Sequence, residues 1–133
     1  MKLIRSLILI FLCITYCVAG TIADEQSTVT ISILPGNLER SPGDTLQVQV
    51  FLDSAPEGLS GYNVTLLMTN PGVAEILDVE YPSWAQMPKN GTLPGGSVWC
   101  SAVDLTGASG NVDITLFNAT ISVNSIGITN ITI

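Results

Sequence analysis

Thr45-Leu46-Gln47-Val48-Gln49-Val50-Phe51-Leu52-Asp53 decides the fold class. Leu46, Val48, Val50 and Leu52 fall on one face of an extended chain, and Thr45, Gln47, Gln49, Phe51 and Asp53 fall on the other. Period two is the signature of a β-strand with one face buried. Immediately before it, Ser41-Pro42-Gly43-Asp44 has turn chemistry: proline presets φ, glycine supplies a positive φ, and aspartate caps. The same grammar recurs outward in both directions. Val29, Ile31 and Ile33 alternate until Pro35-Gly36. Gly61 to Thr69 places Tyr62, Val64, Leu66 and Met68 inward, with Asn63, Thr65 and Thr69 outward. After the Asn70-Pro71-Gly72 turn, Leu77, Val79 and Tyr81 predict a fourth strand ending at Pro82. Ser97 to Val103 predicts a fifth, with Val98, Cys100 and Ala102 on one face and Trp99, Ser101 and Val103 on the other. Pro82 to Gly96 and Leu105 to Asn111 read as loops. No stretch beyond Ala23 has helical periodicity. Short strands separated by turns predict an all-β, antiparallel sandwich.

Two segments break phase. Val112, Ile114 and Leu116 share one face, whereas Ala119, Ile121 and Val123 share the other. Ile126 and Ile128 precede Ile131 and Ile133 in the same way. A one-residue slip turns every later side chain over. Either bulges near Phe117–Asn118 and Thr129–Asn130 absorb the slip, or both faces of these strands are covered. The chain stops inside a strand pattern at Ile131-Thr132-Ile133, which predicts a sandwich short of its last strand, as in a fragment.

The first 23 residues read differently. Lys2 and Arg5 precede the apolar run Leu7–Ala19, and small residues follow at Ala19, Gly20, Thr21 and Ala23. This is the pattern of a cleaved signal peptide over residues 1–23, leaving residues 24–133 as one exported, secreted or cell-surface domain. The run is shorter than the roughly 20 apolar residues of a membrane-spanning helix, so no membrane span is expected in the mature chain. Of the three cysteines, Cys13 and Cys17 lie in this leader, so the mature domain keeps only Cys100 and no disulfide is expected. Four Asn-x-Thr sequons, at Asn63, Asn90, Asn118 and Asn130, sit behind the leader and are candidate glycosylation sites. The competing reading is that their threonines serve only as strand formers.

Composition narrows function. The chain has 133 residues, with 4 basic and 11 acidic side chains and no histidine. Beyond residue 23 only Arg40 and Lys89 face all 11 carboxylates, an excess of nine negative charges. Two cations cannot neutralise a row of phosphates, so nucleic acid is not an expected partner. Without histidine, the commonest general base and zinc ligand are both missing. Glu75, Asp78 and Glu80 cluster in sequence, but charges along one strand mark a solvated face rather than two carboxyls across a cleft. Asp44, Asp53, Asp78, Asp104 and Asp113 are scattered singly, without a calcium-loop spacing. No enzyme activity, metal or other cofactor is expected. Trp84, in the long loop, and Trp99, opening a strand, are the candidate binding residues. Each either packs beneath the loop or meets a ligand.

Several of these stretches together resemble the cohesin domain. They are Ser41-Pro42-Gly43-Asp44-Thr45, Gly58-Leu59-Ser60-Gly61-Tyr62-Asn63-Val64-Thr65-Leu66, Ala74-Glu75-Ile76-Leu77-Asp78-Val79 after its Asn-Pro turn, and Thr115 to Val123. Tyr81-Pro82-Ser83-Trp84-Ala85, Ser97-Val98-Trp99 and Ala102-Val103-Asp104-Leu105 resemble the variant found in archaeal surface proteins. The resemblance implies a jelly-roll β-sandwich related to carbohydrate-binding modules. It also implies a scaffold role in which a flat sheet face docks an extracellular protein partner of dockerin type. No motif carries partner-contacting residues over to this sequence. The alternatives are a carbohydrate-binding module with a polysaccharide partner, and a purely structural cell-envelope domain.

Overall fold

The computed structural model describes residues 29–36, 38–106 and 111–133. The expected leader, residues 1–23, lies outside them. The described residues form eight strands: β1 (Ile31–Leu34), β2 (Thr45–Ala55), β3 (Gly61–Met68), β4 (Ala74–Glu80), β5 (Gln86–Asn90), β6 (Ser97–Val103), β7 (Asn111–Val123) and β8 (Ile131–Thr132). All paired strands run antiparallel. They build two four-stranded sheets, sheet A in the order β1-β2-β7-β4 and sheet B in the order β5-β6-β3-β8. This is the expected all-β jelly-roll sandwich. Among the described residues no helix is long and apolar enough to cross a membrane.

The alternating faces meet between the sheets. Sheet A contributes Val48, Val50, Leu52, Ile76, Phe117, Ala119 and Ile121, and sheet B contributes Val64, Leu66, Met68, Val98 and Cys100. Burying each large aliphatic side chain here contributes roughly 1.5–3 kcal/mol of transfer free energy. The turn before β2 forms as its residues dictate. Gly43 adopts φ +95°, Asp44 N–H donates to Ser41 O at 3.0 Å, and the Asp44 carboxylate accepts from Ser41 N–H at 3.0 Å.

Four sequence expectations are corrected. In β4, Ala74 and Ile76 are buried, whereas Leu77 is exposed. A register shift between Ile76 and Asp78 leaves Leu77 as the extra residue and returns Val79 to the core side. In β7 the slip is present, but one residue earlier than expected. Val50 pairs with Phe117 and Phe51 with Thr115, so Leu116 is the bulged residue and both Leu116 and Phe117 are buried. The stretch from Pro82 to Gly96, read as loop, contains β5. That strand lies at the sheet edge, where Pro88 has no ladder bond to lose, and its register shifts between Gln86 and Lys89. Ile126 and Ile128 join no strand and are 91% and 86% exposed.

The two long sides of the sandwich end differently. Beside β4, Ile76 and Gly95 exchange two backbone hydrogen bonds, at 2.8 and 3.0 Å, tying sheet A to the segment that enters β6. Beside β1 and β8, a groove of about 690 Å³ opens between the sheets. Ile33, Leu38, Leu46, Met68, Val73 and Ile131 are among the residues lining it.

Candidate functional site: the outer face of sheet B

Strand pairing fixes which side chains share this face. Asn63 pairs with Ser101, Thr65 with Trp99 and Leu67 with Ser97 between β3 and β6. Lys89 of β5 pairs with Ser101, and Thr132 of β8 pairs with Leu67. Because Val64, Leu66, Val98 and Cys100 point inward, these residues point out. Two large apolar groups remain in solvent among them, Trp99 at 45% and Leu67 at 47% exposure. Met87 is also exposed, in the irregular part of β5.

The indole of Trp99 is seated rather than free. Gly91 N–H donates to Trp99 O at 2.9 Å, setting the two residues side by side. A Cβ on Gly91 would come within 2.9 Å of Trp99 Cδ1 and Nε1. The absent side chain at Gly91 therefore makes room for the ring.

Charge differs sharply between the two outer faces. The strand residues pointing out of sheet B include one cation, Lys89, and no carboxylate. Sheet A presents Gln47, Gln49, Thr115, Asn118, Thr120 and Ser122 outward, with Glu75, Asp78 and Glu80 along its β4 edge. Gln49 donates to Thr115 Oγ1 at 2.6 Å across that face.

The two tryptophans separate. Trp84 is half-buried, and its indole N–H donates to Thr115 O at 3.0 Å. Its ring meets Tyr62 edge-on at 6.0 Å. Tyr62 in turn stacks on Phe117 at 6.3 Å and donates its hydroxyl to Leu116 O at 2.6 Å. Trp84 is thus part of the packing that closes the sandwich, and Trp99 is the one turned to solvent. The sequence alone leaves the two as a pair of candidates. The distinguishing signal was phase, since Trp99 alternates with buried Cys100, whereas Trp84 lies where no period applies. The sequence pattern does not single out Leu67, because it interrupts an otherwise polar outward face.

The remaining candidates scatter. Asn63 is exposed on the sheet B face, and Asn90 is exposed at the end of edge strand β5. Asn118 is half-buried on sheet A, and Asn130 is exposed just ahead of β8. Several aspartates have structural partners. Asp53 Oδ1 accepts from Thr30 N–H at 2.9 Å and Ser54 N–H at 2.7 Å. The buried Asp104 accepts from Thr106 N–H at 2.8 Å and from the Thr106 hydroxyl. Among the described residues no group of three or more histidine, cysteine, aspartate or glutamate side chains could hold a metal ion. Cys100 is a buried free thiol. Burial pushes it above its ordinary pKa of 9.0, and the neighbouring Tyr81 hydroxyl opposes part of that rise.

These features define a cohesin-like β-sandwich domain. Solved cohesin structures share its fold. One is in a type I cohesin–dockerin complex from Clostridium thermocellum (TM-score 0.62, 18% identity, 79% of this chain and 80% of that one). Another is the sixth cohesin of scaffoldin B from Acetivibrio cellulolyticus, in complex with a dockerin (TM-score 0.60, 18% identity, 80% and 82%). A third is a non-cellulosomal cohesin from the archaeon Archaeoglobus fulgidus (TM-score 0.56, 26% identity, 75% and 68%). No family model and no curated protein matches the sequence.

Proposed function

We propose that this domain is a non-catalytic docking module that works outside the cell and binds a dockerin-like protein partner through the outer face of sheet B. The observation that carries the reading is the face itself. In a domain with nine excess negative charges, its strand residues carry no carboxylate, and it presents an exposed, seated tryptophan beside an exposed leucine. Interface hot spots favour tryptophan, and charged residues are depleted from interface centres. Two of the structural neighbours above are cohesins in complex with dockerins, which supports a protein partner. The apolar leader pattern of residues 1–23 supports export.

Binding of secreted dockerin-bearing proteins, measured by titration calorimetry, tests this. Trp99→Ala should weaken binding by at least about 2 kcal/mol, the hot-spot range, and Leu67→Asp should abolish it, with thermal stability retained in both. Equal affinity for wild type and both variants would refute the assignment of this face. Saturable polysaccharide binding that quenches Trp99 fluorescence, with no protein bound, would replace the reading by a carbohydrate-binding one.

A further inference from the structure

The four sequons are equivalent as tripeptides but not as positions in the fold. Asn118 is half-buried on β7, a strand paired on both sides, with Gln49 opposite on β2 and Glu80 opposite on β4. A sugar there would displace both neighbours. Asn130 is exposed, but it is held at the backbone. Its N–H donates to Thr69 Oγ1 at 2.9 Å, and its carbonyl accepts from Thr69 N–H at 2.9 Å. The hydroxyl of its sequon, on Thr132, donates to Leu67 O at 3.4 Å. Asn63 is exposed on the same face as Trp99, one diagonal position away, about 7–8 Å in such pairs. A glycan there would cover the tryptophan.

Asn90 differs from all three. It is the last residue of β5, whose outer side has no partner strand among the described residues. Asn90 and Thr92 are both exposed, and the chain leaves the strand directly after Asn90. The Asn90 amide makes a local bond, with Nδ2 donating to Gly91 O at 2.9 Å. Asn90 pairs with Cys100, so it lies on the side of β5 opposite the Trp99 face, and its exposure at the end of the edge strand leaves a group attached there open to solvent.

We infer that Asn90 is the N-glycan acceptor of this domain, and that its glycan shields the β5 edge while leaving the docking face bare. Unpaired edges invite pairing with other chains, and covering them prevents it. The donor is a lipid-phosphate-linked oligosaccharide. The bond from Asn90 Nδ2 to the anomeric carbon forms, the anomeric C–O bond to phosphate breaks, and the lipid phosphate departs. The amide nitrogen gives up one proton. The inference rests on the export reading, but not on the identity of the docking partner.

The full chain would be expressed in a secretory host with N-glycosylation, once behind its own leader and once with residues 1–23 replaced by a leader of known competence. Glycopeptide mapping of the secreted product should show sugar at Asn90, and Asn90→Gln should lose that mass increment. Asn118→Gln should leave it unchanged. A bare Asn90 in secreted protein, or sugar on Asn63 or Asn118 with Asn90 unmodified, overturns the inference. If only the second arm reaches the medium, the export reading fails, and the map of that arm still decides Asn90.

Discussion

One long side of this sandwich is sealed and the other is open, although both are built from the same alternating strands. On the sealed side, aromatic rings bridge the sheets and spend their polar atoms on the backbone. Tyr62 donates to Leu116 O, Trp84 to Thr115 O and Tyr81 to Lys89 O, at 2.6, 3.0 and 2.8 Å. The Ile76–Gly95 bridge completes the closure. On the open side the strands are short, four residues in β1 and two in β8, and the groove between them is lined with aliphatic side chains. Closure therefore depends on amphipathic rings that bury a body and satisfy a tip. Aliphatic residues fill space but cannot bond the backbone groups of a bulge. The aromatic contacts gather where β7 carries its extra residue, Leu116.

The largest break in this contrast should come from Phe117→Ala. The ring is fully buried and contacts both Tyr62 and Tyr81. A loss of about 3–5 kcal/mol in denaturant unfolding is expected. A loss below about 1 kcal/mol would mean that the ring cluster does not organise the sealed side. Next, Tyr62→Phe keeps the ring and removes the donor to Leu116 O. The expected cost is about 1–3 kcal/mol, the penalty for stranding a desolvated acceptor.

A pH effect should follow, confined to the sealed side. Burial raises the Cys100 thiol above 9.0, and it raises Tyr62 and Tyr81 above their ordinary 10.0. The folded state thus holds these protons more tightly than the unfolded chain does. That stabilisation is complete below the unfolded values and is lost as pH climbs beyond them. Melting temperature should fall above about pH 9, and Cys100→Ala should flatten the first part of that fall. Identical profiles for the two proteins would remove Cys100 from the account.

The smallest effect is expected on the open side. Ile128→Ser should change stability by no more than about 0.5 kcal/mol, because the side chain is almost wholly solvated. A loss of 2 kcal/mol or more, beyond the range of about 0.5 kcal/mol for exposed sites, would show that Ile128 closes the groove in solution.

Most inward faces were legible because alternation needs no knowledge of the partner strand. Leu46 to Leu52 and Val98 to Ala102 are such cases. Bulges were legible only as a phase conflict. Whether Leu116 or Phe117 is the extra residue depends on how β2 pairs, and β2 lies more than fifty positions away in sequence. Leu77 was misplaced for the same reason. Edge strand β5 is hidden by Pro88, which is tolerated because no strand among the described residues pairs on its outer side. Ile126 and Ile128 alternate correctly and still join no strand among the described residues, because hydrophobic periodicity reports capacity to pack rather than a surface to pack against.

The outer face of sheet B shows the same division. That Trp99 opposes Cys100 is written in the sequence. That Trp99 remains in solvent while Trp84 does not is decided by the tertiary structure, because burial depends on what the opposing layer offers. Trp84 reaches a carbonyl 31 residues away on β7, whereas the described residues place no third layer over Trp99. By itself the sequence determined an all-β chain with one apolar face per strand, since both follow from local alternation and turn chemistry. Sheet order, the bulge positions, and which side of the sandwich closes are long-range pairings, and only the folded chain settles them.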